Sequence, residues 1–132
     1  MHLIVCIEER DGMSFCGRRL SSDRLVSSHI IKMISGEKLW LSPYSAGLFP
    51  EQEVFTAEDF LEKAEAGEYC FVENTPVPTE LPGLESVILY NWNRRYPSTM
   101  RFPREILDGK ELICVEEFSG HSHDKITMER YQ

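Results

Sequence analysis

The stretch from Leu3 to Leu20, LIVCIEERDGMSFCGRRL, constrains the fold more than any other part of the chain. Leu3, Ile4, Val5, Cys6 and Ile7 form an unbroken apolar run, which suits a strand covered on both faces and therefore placed mid-sheet. The run stops at Glu8, Glu9, Arg10 and Asp11. Gly12 and Gly17 then bracket a loop whose backbone can bend sharply or approach a ligand closely. This loop leaves the carboxyl end of the strand, where open α/β sheets place their sites.

The rest of the chain alternates strand and helix signals before turning to strands alone. Ser21 or Ser22 is placed to cap a helix running to about Ser35, with Leu25, Val26, His29, Ile30, Met33 and Ile34 on one face and Gly36 ending it. Lys38 to Leu41 reads as a short strand, and Ser42 followed by Pro43 as the N-cap and first position of a brief turn carrying Tyr44 and Leu48. Val54 and Phe55 form a minimal strand. Thr56 with Asp59 approximates a capping box for a helix whose Phe60, Leu61 and Ala64 face inward, stopped by Gly67. Tyr69 to Val72 is the next apolar run. Three prolines between Thr75 and Gly83 exclude a regular helix there. Strands follow at Ser86 to Trp92, Glu111 to Glu116 and Lys125 to Tyr131, the last with the period-two alternation of a half-exposed strand. Short right-handed connections turn this order into a mostly parallel sheet with an antiparallel edge.

A chain of 132 residues is expected to form one domain over residues 1–132, burying roughly two-thirds of its unfolded surface. The formal charge of −8 argues against nucleic acid or an acidic membrane as a partner. Cys6, Cys70 and Cys114 lie inside apolar runs without a C-x-x-C pair and read as reduced core thiols. No apolar run approaches the ~20 residues needed to span a bilayer, and no leader is evident, so the cytoplasm is the expected address.

The order of elements resembles a shortened dihydrofolate reductase. Asp11, Gly12, Ser14 and Gly17 stand near the family's N-G-x-G-x-x-G loop. Val87 to Tyr90, then Arg101, Phe102 and Pro103, then Leu112 to Glu117 and Ile126 to Tyr131 resemble its last three strands and their T-x-F-P-type connection. The resemblance implies an α/β three-layer sandwich around a mostly parallel mixed sheet with an antiparallel C-terminal strand. It also marks what has been exchanged. At the family's G-R-x-T stand Ser42, Pro43, Tyr44 and Ser45, without the arginine that would fork onto a phosphate. At its paired glycines stand Glu73 and Asn74, and a carboxylate there repels a polyphosphate. The helix acid that would grip a pterin has only Asp23 as a counterpart, where a charge at the helix N-terminus is the simpler reading. No cofactor is expected.

Other clusters have plainer readings. His121, Ser122, His123 and Asp124 resemble a fragment of the H-x-H-x-D-H motif of the metallo-β-lactamase-fold nucleases, ribonuclease Z among them. The spacing fails, and a polar hairpin link is the preferred reading, with no metal expected. His29, on an apolar stripe, reads as a satisfied interior histidine. Tyr90, Trp92, Arg94, Arg95, Tyr96, Arg101 and Arg104 have the composition of a single-stranded nucleic-acid platform, an anion site or a protein interface, against a plainer pairing of arginines with carboxylates.

Strand ends define the candidate pocket: Glu8 and the glycines Gly12 and Gly17 after the first strand, Ser42 and Tyr44 after the second, Glu73 and Asn74 after the fourth. Such a polar, acid-lined crevice suits a neutral or cationic small molecule more than a phosphate. Nothing in the order of residues assigns a nucleophile. The expected function is a non-catalytic small-molecule- or protein-binding module, with three alternatives: a reductase using its cofactor differently, a metal-dependent phosphodiesterase, and a nucleic-acid-binding module.

Overall fold

The computed structural model describes residues 1–132. Its main sheet has seven strands: β1 (His2–Ile7), β4 (Leu39–Leu41), β5 (Phe55–Thr56), β6 (Tyr69–Val72), β7 (Ser86–Asn91), β9 (Leu112–Phe118) and β10 (Ile126–Tyr131), in the order β5-β4-β6-β1-β7-β10-β9. The first five positions in that order are mutually parallel, whereas β10 runs antiparallel to both of its neighbours. As its apolar run requires, β1 sits mid-sheet between β6 and β7, with Leu3, Ile4 and Val5 fully buried.

Alternation along β1 sends Ile4 to one face and Leu3, Val5 and Ile7 to the other, so two separate cores form. Helix α1 (Arg24–Ile34) covers the first, burying Val26, Ile30 and Ile34 at a spacing of four. Each such side chain contributes about 1.5–3 kcal/mol. Leu25 is exposed and Met33 half-buried, which makes the buried stripe narrower than its sequence pattern. The second face is covered by the single-turn helix α2 (Phe60–Lys63), the 3-10 turn Arg104–Leu107, and a small second sheet. That sheet pairs β2 (Gly12–Phe15) with β3 (Arg18–Arg19) and β8 (Met100–Arg101).

The structure corrects three sequence expectations. The loop bracketed by Gly12 and Gly17 is largely a hairpin, because Cys16 and Gly17 both adopt positive φ (48° and 79°). That pair is a type I′ turn, whose twist matches the flanking strands. Helix α1 is capped by Asp23, not by Ser21 or Ser22: Asp23 is extended and its carboxylate accepts the Leu25 N–H at 2.9 Å. The helix expected after Thr56 and Asp59 lasts one turn, since Ala64 is already extended (φ −66°, ψ 135°) and Asp59 makes no side-chain cap. The brief turn after Ser42 and Pro43 is a 3-10 helix over Pro43–Leu48. No helix is long and apolar enough to cross a membrane.

Candidate functional site

At the carboxyl ends of β1, β4 and β6 the chain closes on itself. The β2–β3 hairpin brings Arg19 over this edge, where Arg19 Nε donates to Glu73 Oε2 (2.9 Å) and Nη2 to Glu73 Oε1 (3.0 Å). Ser45 Oγ also donates to Glu73 Oε1, at 2.7 Å. Tyr44 receives the hairpin from the other side: its hydroxyl accepts the Arg19 N–H at 3.0 Å and its ring lies 4.6 Å from the guanidinium carbon. Asn74 Nδ2 donates to the Gly17 carbonyl at 2.9 Å, pinning the turn itself. The hydrogen bond to Glu73, outweighing partial burial, raises the Arg19 pKa above its usual value. This forked pair leaves the guanidinium committed.

The proposed pocket residues therefore divide. Tyr44 and Glu73 meet around Arg19, a residue outside the set expected from strand ends, and Asn74 meets Gly17 on the same hairpin. Ser42 is buried beneath them and makes no side-chain cap bond; its carbonyl accepts the Ser45 N–H at 3.0 Å. Glu8 and Gly12 form a separate group. Glu8 is fully buried and its Oε1 accepts the N–H groups of Arg10 (2.8 Å) and Gly12 (2.9 Å). The close approach that Gly12 permits is to the Ser98 and Glu8 side chains, since a Cβ there would sit 2.9 Å from Glu8 Cγ.

Behind the Arg19–Glu73 pair, between α1 and the sheet, the crevice narrows to a cavity of about 10 Å3 bordered by Cys6, Asp23, Val26, Phe71, Glu73 and Trp92. That is room for about one water molecule. Asp23 borders this space but faces the loop between β9 and β10. Its Oδ1 accepts the His121 N–H (2.9 Å) as well as that of Leu25, and its Oδ2 accepts the Ser122 N–H (2.8 Å) and hydroxyl (3.2 Å) and His123 Nδ1–H (2.9 Å). Burial alone would raise the Asp23 pKa, but the bonds from His121, His123, Ser122 and Leu25 outweigh it and hold the carboxyl well below the usual range.

His123 is buried, stacks on Trp92 with ring centroids 4.6 Å apart, and has its Nε2 2.9 Å from Ser21 Oγ. His121 diverges from it toward the surface, where Arg24 Nη2 lies 3.1 Å from its Nδ1, and Asp124 is exposed. No group of three or more His, Cys, Asp or Glu side chains gathers at ligand distance. Sequence order hid the Ser21–His123–Asp23 cluster because its members come from opposite ends of the chain. Their only local signal was polarity beside an apolar helix.

His29 is satisfied as expected but half-buried rather than interior, with Nδ1 2.7 Å from the Tyr90 hydroxyl, Nε2 2.8 Å from Glu116 Oε2, and Phe118 stacked at 4.8 Å. Of the basic cluster, Arg104 is committed to a forked pair with Asp11 at 2.8 and 3.0 Å, whereas Arg94, Arg95 and Arg101 are exposed.

No family model matches the sequence, and the search of curated proteins finds no match. In structure the chain is similar to the dihydrofolate reductase from Enterococcus faecalis complexed with NADP(H) and RAB-propyl, with a TM-score of 0.69 and 11% sequence identity. The match covers 99% of this chain and 94% of that one. The likeness is one of backbone, and it meets the strand order described above: this chain has a dihydrofolate-reductase-like fold.

Proposed function

We propose that this domain is a binding module built on the dihydrofolate-reductase-like fold that does not carry out nicotinamide-dependent reduction. The observation that carries the reading is the crevice between α1 and the sheet, reduced to about 10 Å3 behind the Arg19–Glu73 pair. A drug-sized ligand needs hundreds of cubic ångströms. Asp23, the one acid at the position the resemblance links to a pterin, has both oxygens filled by groups of its own chain. Glu73 and Asn74, at the positions linked to a dinucleotide, are used to hold the hairpin. The expected result of a spectrophotometric assay with dihydrofolate and NADPH is no oxidation above the protein-free control. Turnover that saturates in both substrates would overturn the reading.

One surface favours a protein as the bound species. β9 forms an edge of the main sheet, with its outer backbone groups unpaired and Leu112, Ile113 and Val115 exposed by 47%, 53% and 51%. Such an edge is a template for strand addition. In an antiparallel pairing of two copies centred on Val115, Ile113 faces Glu117, Cys114 faces Glu116 and Leu112 faces Phe118. No carboxylate then opposes another, so a second copy is the occupant this edge fits. Light scattering is expected to show a dimer that Val115→Lys dissociates; a monomer at high concentration would remove this reading. Four free thiols, Cys16 among them exposed, favour a reducing compartment such as the cytoplasm.

A further inference from the structure

We propose that Ser21, His123 and Asp23 form a nucleophile, base and acid relay that cleaves small activated acyl esters or thioesters. The geometry fixes the proton positions. A carboxylate only accepts, so the 2.9 Å contact between Asp23 Oδ2 and His123 Nδ1 places the proton on Nδ1 and leaves Nε2 as the acceptor. Ser21 Oγ lies 2.9 Å from that Nε2, so its hydroxyl donates to the base. Tyr96 is the other hydroxyl near Nε2, but at 3.4 Å it is the weaker partner.

The relay is also held in place. The Trp92 ring lies 4.6 Å from the imidazole at an interplanar angle of 25°, fixing its plane. Backbone N–H groups of Leu25, His121 and Ser122 fix the carboxylate. These contacts fasten the β9–β10 loop to α1 without help from Ser21. Ser21 supplies the partner that the buried Nε2 needs, and a hydroxyl on that free nitrogen is the placement a nucleophile requires.

Ser21 is half-buried beside exposed Ser22 and Arg24, so a carbonyl approaches from outside and its acyl group stays at the surface, because the cavity behind holds about one water. The N–H groups of Ser22 and Asp23 make no hydrogen bond within the chain and remain available to a developing oxyanion. In the step, Ser21 Oγ adds to the carbonyl carbon as its proton passes to His123 Nε2. The tetrahedral adduct collapses, the carbon–oxygen or carbon–sulfur bond to the leaving group breaks, and His123 returns the proton to the departing alcohol or thiol. Water repeats the sequence on the acyl-serine and releases a carboxylic acid, with no net redox change.

The test uses a fluorophosphonate probe on the intact protein, read by whole-protein mass and peptide mapping. One adduct per chain is expected, on Ser21, absent from Ser21→Ala, unchanged in Ser28→Ala at the exposed helix surface, and formed at least 100-fold more slowly in His123→Gln. Should His123→Gln fail to fold, Ser21→Cys takes its place: its thiol, set on the same ring nitrogen, is expected to react with iodoacetamide at least 10-fold faster than the exposed Cys16. No adduct, an adduct formed equally fast by the urea-unfolded chain, a rate indifferent to His123→Gln, or a Ser21→Cys thiol no faster than Cys16 would overturn the proposal.

Discussion

Asp23→Asn isolates the contact that fastens the β9–β10 loop to α1. An asparagine can keep its carbonyl where Oδ1 stands, preserving the bonds from Leu25 N–H and His121 N–H. Its NH2 group then faces Ser122 N–H and His123 Nδ1–H, so two short accepting contacts, at 2.8 and 2.9 Å, become donor against donor. Charge-assisted hydrogen bonds contribute roughly 1.5–3 kcal/mol each, and some relaxation of the loop offsets part of the loss, which leaves about 3 kcal/mol. For a domain of this size that corresponds to a fall in Tm of about 10 °C. Urea and thermal unfolding of both proteins measure it directly. The pH dependence carries the sign. Because the folded pKa of Asp23 is depressed, its stabilisation is complete above the unfolded value of about 3.9 and is lost as pH falls through the folded value. The gap between wild type and variant is therefore constant from neutral pH to about pH 4 and closes below it. A variant within about 0.5 kcal/mol of wild type would refute the reasoning, as would a gap that closes between about pH 7 and pH 5.

Two further outcomes follow from the same geometry. Arg19→Ala leaves the buried Glu73 carboxylate with Ser45 as its remaining partner and is expected to cost about 2 kcal/mol, less than a fully buried pair because Arg19 is partly exposed. A double-mutant cycle with Glu73→Gln should return a coupling above about 1 kcal/mol, and additive effects would contradict the pairing. Among the four thiols, exposed Cys16 should react with a thiol reagent in the native protein well before Cys70, whose thiol burial pushes up to about 12, and before Cys6, raised by the same cause. Simultaneous reaction of all four would show that the core opens readily.

The strands were legible because their signals are local. Leu3 to Ile7, Tyr69 to Val72 and the Ile126–Met128 alternation each announce a burial pattern that any surrounding fold must respect. The type I′ turn at Cys16 and Gly17 was missed because a cysteine at positive φ is not a usual turn signal, although the glycine after it was visible. Asp23 caps the helix through the local Leu25 N–H, a signal the sequence carries, but its donors from His121, Ser122 and His123 come from the far end of the chain, which no window around the helix can reveal. The candidate pocket was half legible for the same reason. Strand ends place Tyr44, Glu73 and Asn74 together, but the groups they bind, Arg19 for Tyr44 and Glu73 and the Gly17 carbonyl for Asn74, arrive on a hairpin whose signal is that of a loop. Glu8 and Gly12 lie on the same edge in sequence terms, yet Glu8 is turned back onto the amides of its own turn.

The edge formed by β1, β4 and β6 either admits a dinucleotide or is closed to it. A fluorescence titration of the intact protein with NADPH answers this most directly. With Arg19 engaged by Glu73 and Tyr44, Asn74 engaged by the Gly17 carbonyl, and about one water's volume behind them, no saturable signal is expected up to millimolar ligand. A saturable curve with a micromolar midpoint, lost on competition with NADP(H), would show that the crevice opens and would contradict it.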